Sequence, residues 1–148
     1  MKSTDAQPQG CTNFKLRQLL RSVSRRYDEQ LGHAGLTGPQ FSLLSHVLAL
    51  GPIAPSVLAD RMGMDASTLT RNLRPLAAQG WVLQGPGADA RARSIAITAE
   101  GIAKHAEAKV HWKRAQQGLN DLLGSDEVAA LHRMIDRVQT RLHETAQP

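Results

Sequence analysis

Cysteine is nearly absent. The single thiol, Cys11, excludes an intrachain disulfide framework and any multi-cysteine metal or iron–sulfur site within one chain. Long apolar runs are missing too: none exceeds Val47 to Leu50, far short of the ~18–20 residues that span a bilayer. The opening MKSTDAQPQG has one lysine and no apolar stretch. It does not resemble a secretory signal, so residues 1–11 read as a flexible polar tail and a cytoplasmic location is expected. There is no internal repeat and no low-complexity segment. No Ser-His-Asp order, phosphate loop or paired-carboxylate motif stands out. His105 and His111, like His132 and His143, miss the i, i+4 spacing of a helical metal chelate. Neither an enzyme, a metal site nor a cofactor is expected.

What is present is basic. The 148 residues, enough for one domain, hold 18 Lys and Arg against 13 Asp and Glu, a formal charge of +5 and a pI near 10.0. Apolar residues make up 41%, so a packed core is within reach. The positive surplus lies in residues 1–36 and 52–98, whereas the charges of the last fifty residues cancel. A basic excess is what a polyphosphate partner requires, because Lys and Arg displace the counterions condensed on DNA. A solvated helix face is the plainer reading of the same charges.

Leu16, Leu19, Leu20, Val23, Tyr27 and Leu31 share one helical stripe, with Thr12 as a candidate cap and Gly32 as the end. A second helix follows Thr37-Gly38-Pro39 and stops at Gly51-Pro52. Pro55 to Gly63 fits two turns. Asp65 is a good N-cap for a helix carrying Leu69, Leu73 and Leu76 that ends near Gly80. Two short helices joined by a glycine-containing turn form a helix-turn-helix signature. Trp81-Val82-Leu83 and Ser94-Ile95-Ala96-Ile97 read as strands of a hairpin whose loop spans about Gly85 to Arg93, which makes it a wing. From Thr98 a long polar helix runs to about Leu123, its expected apolar stripe being Ile102, Ala103, Ala106, Val110, Leu119 and Leu122. A last helix, from Gly124-Ser125, carries Val128, Leu131, Met134, Ile135, Val138 and Leu142. The predicted fold is mostly α with a small β-hairpin wing. Residues 12–36 and 99–148 supply dimerisation helices around a winged helix-turn-helix at 37–98.

On the fourth helix, Ser67, Thr68, Thr70 and Arg71 occupy the first turns, where a major-groove reader needs short polar groups and an arginine; Arg74 lies a turn further. Pro75 should kink the helix beyond them. In the wing, Asp89, Arg91 and Arg93 suit a minor-groove contact, with an arginine in the negative groove and a carboxylate holding it in place.

Several stretches together resemble the MarR family of winged-helix transcriptional regulators over about residues 12–143. They are Leu36-Thr37-x-x-Gln40-Phe41, Ser67 to Leu73, Gly80-Trp81-Val82, Asp89-x-Arg91 and the Ile97-Thr98-x-x-Gly101 closure. The resemblance implies a homodimer held by its terminal helices and reading pseudo-palindromic double-stranded DNA. Thr70 and Arg71 become major-groove readers, and Arg91 a minor-groove finger oriented by Asp89. Trp81, where the family usually has a smaller aliphatic residue, and Arg74-Pro75, in place of the more common Asp-Arg pair, depart from the pattern and bear on base preference.

Such regulators release DNA when a small ligand binds or a cysteine oxidises, and the expected role is a repressor. Cys11 sits where the helix dipole and Lys15 favour the thiolate, as in the branch of the family that senses organic hydroperoxides. There, by resemblance, the sensing position falls on Asn13 and Tyr27 matches a thiol-contacting tyrosine. For an aromatic carboxylate, Arg17 with His46 is the candidate clamp. Two other readings stay open: a sequence-neutral architectural DNA binder, and a thiol-peroxidase-like enzyme built on Cys11, although no resolving cysteine is present.

Overall fold

The computed structural model describes residues 7–86 and 93–146. Its elements run α1 (Thr12–Gly32), α2 (Gly38–Leu50), α3 (Pro55–Arg61), α4 (Ala66–Ala78), β1 (Val82–Pro86), β2 (Arg93–Ile97), α5 (Ala99–Leu123) and α6 (Ser125–Ala146). The helical class with one hairpin is the one expected.

Local chemistry explains most boundaries. Thr37 and Gln40 form a capping box at the start of α2: the Gln40 N–H donates to Thr37 Oγ1 at 3.3 Å and the Thr37 N–H donates to Gln40 Oε1 at 3.0 Å. The start of α1 differs from expectation. Cys11, not Thr12, is its N-cap, with no side-chain capping bond, because the first helical hydrogen bond runs from the Lys15 N–H to the Cys11 carbonyl. At the other end Gly32 closes the helix, but Gly35, at φ +74°, makes the turn that lets the Leu36 N–H reach the Leu31 carbonyl at 3.1 Å. Pro75 lies exposed inside α4, which continues to Ala78, close to the expected end near Gly80.

The core belongs to α2–α4 and the hairpin. Leu43, Leu44 and Val47 of α2 meet Leu58 of α3, Leu69, Leu73 and Leu76 of α4, and Val82 and Ile95 of the strands, all at most 2% exposed. The strands pair antiparallel from Val82↔Ile97 to Pro86↔Arg93. Ile53 adds a single-residue third rung: its N–H donates to the Ile95 carbonyl at 3.0 Å and its carbonyl accepts from the Ile95 N–H at 2.8 Å. Thr98 ties the segment between α4 and the hairpin to α5. Its hydroxyl donates to the Gly80 carbonyl at 2.6 Å and accepts from the Gly101 N–H at 2.9 Å, while its own N–H donates to the Trp81 carbonyl at 3.0 Å. Gly101 lies so close to this junction that a Cβ there would collide with the Trp81 carbonyl and the Ile97 side chain.

The long helices pack differently from their apolar stripes. On α1, Leu31 is buried and Val23 and Tyr27 are half-buried, but Leu16, Leu19 and Leu20 are 45–64% exposed. On α5 the buried positions are Gly101, Ala108 and Ala115, spaced seven apart, whereas Ile102, Val110 and Leu122 of the expected stripe are exposed. Small residues let α5 approach α1 closely, and the larger aliphatics are left on the outside. On α6 only Val128 is buried.

Candidate nucleic-acid interface and effector cavity

The face of α4 opposite the core follows from its spacing. Leu69, Leu73 and Leu76 point inward, so Ser67, Thr70, Arg71 and Arg74 share the outward face, and all four are exposed. Thr68 lies at its edge, half-buried. The helix start is fixed by the Asp65 carboxylate, which accepts the Thr68 N–H at 2.7 Å and the Ser67 hydroxyl at 2.8 Å. These bonds, the backbone N–H first and the hydroxyls after it, hold the Asp65 pKa down at about 2. The Thr70 hydroxyl donates to the Ala66 carbonyl at 2.9 Å. Its hydrogen is therefore committed, and Thr70 offers a partner an acceptor oxygen and a methyl group. Arg71 and Arg74 form no ion pair with another described residue, and neither do Arg61, in the last turn of α3, and Arg93. Four guanidinium groups are thus available to phosphate or base edges.

Arg93 is the first residue of β2, opposite Pro86. Asp89 and Arg91 lie outside the described residues.

The candidate switch residues are not brought together. Cys11 is exposed at the start of α1; Tyr27, sixteen residues on, stands ~24 Å away along the same helix at 1.5 Å per residue. A contact between them would have to cross between two chains. Arg17 is exposed and its Nε donates to Asn13 Oδ1 at 3.4 Å, while His46 Nδ1 sits 2.7 Å from the Ser42 carbonyl. Each is engaged within its own helix, and neither lines the cavity nearby.

That cavity, of about 450 Å³, opens between α1, α2 and α5, and sequence reading had not located it. Its walls include Val23, Tyr27, Asp28, Phe41, Ser45 and Trp112. The Tyr27 hydroxyl donates to Gln116 Oε1 at 2.6 Å, and burial pushes its pKa up, so the phenol stays neutral. Phe41 is stacked on His105, with centroids 5.0 Å apart, and lies 6.1 Å from the Trp112 ring. The Ser45 hydroxyl donates to the Phe41 carbonyl at 2.9 Å, which leaves it to accept from His105 Nε2, also at 2.9 Å. Burial first, and the Lys109 charge second, lower the His105 pKa and favour this neutral ring. The neighbouring α5 residue Lys104 joins the two parts of the molecule: its Nζ donates to the Ala34 carbonyl at 3.1 Å, pairs with Glu107 at 2.9 Å and stands 5.4 Å from the Trp81 ring centre.

Among the described residues no helix is long and apolar enough to cross a membrane, and no group of three His, Cys, Asp or Glu is placed to hold a metal ion.

Comparison with known proteins gives these features a family. Residues 34–92, from just after α1 to just before β2, match the sequence model of the MarR family. A Bacillus subtilis (strain 168) protein described as the uncharacterized HTH-type transcriptional regulator YwoH is 29% identical over 119 residues, 80% of this chain and 87% of its own. A cysteine-to-serine variant of E. coli MarR, solved with operator DNA, superposes with a TM-score of 0.78 at 26% identity, covering 85% of this chain and 91% of that one. The M. tuberculosis transcriptional regulator MosR, solved in complex with DNA, is 32% identical with a TM-score of 0.71, covering 87% and 98%. Family pattern, fold and sequence identity agree, and the chain belongs to the MarR family.

Proposed function

We propose that the chain is a sequence-specific transcriptional repressor that binds a pseudo-palindromic operator as a homodimer and is released by a small effector. The observation that carries the reading is the outward face of α4. Ser67, Thr70, Arg71 and Arg74 stand exposed at the start of a capped helix whose other face is locked into the core. Short polar groups and arginines there suit base edges in the major groove, and Thr68 at the edge suits the flanking backbone. Arg93 and, by resemblance to the family, Arg91 with Asp89 extend the contact to the minor groove. The operator-bound E. coli relative and the DNA-bound M. tuberculosis relative support the same reading, which is preferred to a catalytic one because the comparisons fall among transcription regulators.

The dimer is supported by what α1, α5 and α6 leave uncovered. Phe14, Leu16, Leu19 and Leu20, then Ile102, Val110 and Leu122, then Met134, Ile135, Val138 and Leu142 are all 43–64% exposed. Apolar surface on that scale calls for a partner, and a second copy supplies one by symmetry. Two α4 helices ~34 Å apart then meet successive major grooves, with half-sites ~10 bp apart. An effector in the cavity between α1, α2 and α5 would act where the dimer helices join the DNA-binding lobe, in a position to reorient one against the other.

The test is a fluorescence-anisotropy titration of DNA from the protein's own upstream region, with excess competitor. Specific binding that Arg91→Ala weakens roughly tenfold, with the dimer intact, is expected. Equal affinity for scrambled DNA would instead show a sequence-neutral architectural binder. Repeating the titration after mild organic hydroperoxide, with Cys11→Ser alongside, separates release by oxidation from release by a ligand.

A further inference from the structure

The cavity lining is chemically one-sided. It holds three aromatic rings, Tyr27, Phe41 and Trp112, the aliphatic Val23 and Leu31, and one ionisable acid, Asp28; no Lys, Arg or His is among its lining residues. The carboxylate clamp expected from Arg17 and His46 is therefore not what this cavity offers. One Asp28 oxygen accepts the Gly38 N–H at 2.6 Å, the first N–H of α2, and the side chain forms no ion pair with another described residue. Arg21, Arg25 and Arg26 share its helix, yet none of them pairs with it or lines the cavity. Hydrogen bonding fixes one carboxylate oxygen, and the three aromatic rings share the lining with it.

We propose that this cavity binds a lipophilic aromatic cation, its ring against Phe41, Tyr27 and Trp112 and its charge against Asp28. Aromatic faces attract cations through the ring quadrupole, and the carboxylate adds a charge partner of the right sign. An aromatic carboxylate of the same shape would meet the Asp28 charge and find no cationic group in the lining. About 450 Å³ suits a one- or two-ring molecule and lies within the usual range for small-molecule sites. The assignment deepens the proposed release by an effector and rests on that reading for its regulatory consequence, while binding itself can be measured on the free protein.

A pair of probes with the same ring system and opposite charge provides the test: 1-naphthylmethylammonium and 1-naphthoate, titrated into the full chain by calorimetry at neutral pH. The cation should bind about tenfold more tightly than the anion. Asp28→Asn, whose amide oxygen still accepts the Gly38 N–H, should abolish that preference. Ser24→Asp, which adds a second acid to the lining without touching the core, should strengthen cation binding about threefold, so the proposal remains testable if Asp28→Asn misfolds. Naphthoate binding as tightly as the cation would overturn the assignment. So would cation binding indifferent to both substitutions, or no binding of either probe at millimolar concentration. Operator anisotropy in the same samples keeps the two readings apart. Asp28-dependent cation binding that leaves DNA bound sustains the ligand class and defeats release by this site, whereas specific DNA binding with no charge preference between the probes defeats the ligand class and leaves the DNA-binding reading standing.

Discussion

The lobe built from α2–α4 and the hairpin, and the frame built from α1, α5 and α6, contain comparable amounts of apolar side chain and use it in opposite ways. In the lobe, nine large residues from three helices and two strands of one chain reach near-zero exposure. In the frame, apart from Leu31 near the lobe and Val128 of α6, the buried residues are the small Gly101, Ala108 and Ala115, and most of the leucines are exposed. The lobe closes its core within one chain; the frame leaves its larger aliphatic residues uncovered. A regulator needs that division, because a rigid reading head can be repositioned only by a frame whose own packing is free to change.

The largest expected effect separates the two regions by stability. Leu76→Ala removes a fully buried side chain of α4 and should cost about 2–5 kcal/mol, lowering the thermal midpoint at every protein concentration. The same truncation at Leu20, 64% exposed in this chain, should lower it little at low protein concentration and by a growing amount as concentration rises, since only the proposed dimer would cover the leucine. Thermal melts over a hundredfold range of concentration decide the matter. Equal, concentration-independent losses would abolish the distinction between lobe and frame.

Next in size is the frame itself. Leu20→Glu with Leu142→Glu places charge on the two most exposed leucines of α1 and α6. Sedimentation should show a monomer with native helicity, and operator affinity should fall more than about a hundredfold because one lobe reaches one half-site. A variant that stays dimeric would move the interface elsewhere.

Which of the two regions was legible in the sequence follows from the same contrast. The lobe announces itself locally: the Thr37-Gly38-Pro39 start of α2, the Asp65 cap and the Leu69, Leu73, Leu76 spacing each act within one or two turns, and the structure places all of them as read. The frame's helices were legible, but not which of their faces is buried. The α5 stripe chosen for its Ile and Val residues is the exposed one, because close packing selects small residues, Gly101 against the Trp81–Ile97 junction and Ala108 and Ala115 further along α5. The Ile53–Ile95 rung joins single residues forty-two positions apart and leaves no periodicity. The cavity is assembled from three helices that no local pattern relates. Arg17 and His46 carried plausible chemistry, but each is committed within its own helix.

The junction between the regions gives a smaller effect. Gly101→Ala would drive a methyl group into the Trp81 carbonyl and Ile97, and the expected cost is about 1–3 kcal/mol. Thr98 and Gly101 anchor α5 to the hairpin. Operator binding should therefore weaken together with stability, while the dimer, held further along the frame, persists. Chemical denaturation and anisotropy on one sample check both. A stable variant with normal DNA affinity would mean that the junction yields without consequence.

The smallest effect belongs to the reading head alone. The Thr68 N–H and the Ser67 hydroxyl hold the Asp65 pKa at about 2, below its ordinary 3.8. A carboxyl whose pKa is depressed by folding stabilises the native state above the unfolded value and loses that contribution as pH falls through the folded one. The contribution is therefore whole above about pH 4 and gone near pH 2. Asparagine at position 65 still accepts the Thr68 N–H but has no charge to lose. Wild type should exceed Asp65→Asn slightly in urea midpoint at pH 7 and pH 5, and the margin should close as the pH approaches 2. Because Asp65 is fully exposed, solvent screening keeps that margin small, and added salt should narrow it further. A margin that stayed constant with pH would mean that Asp65 caps α4 through its shape alone.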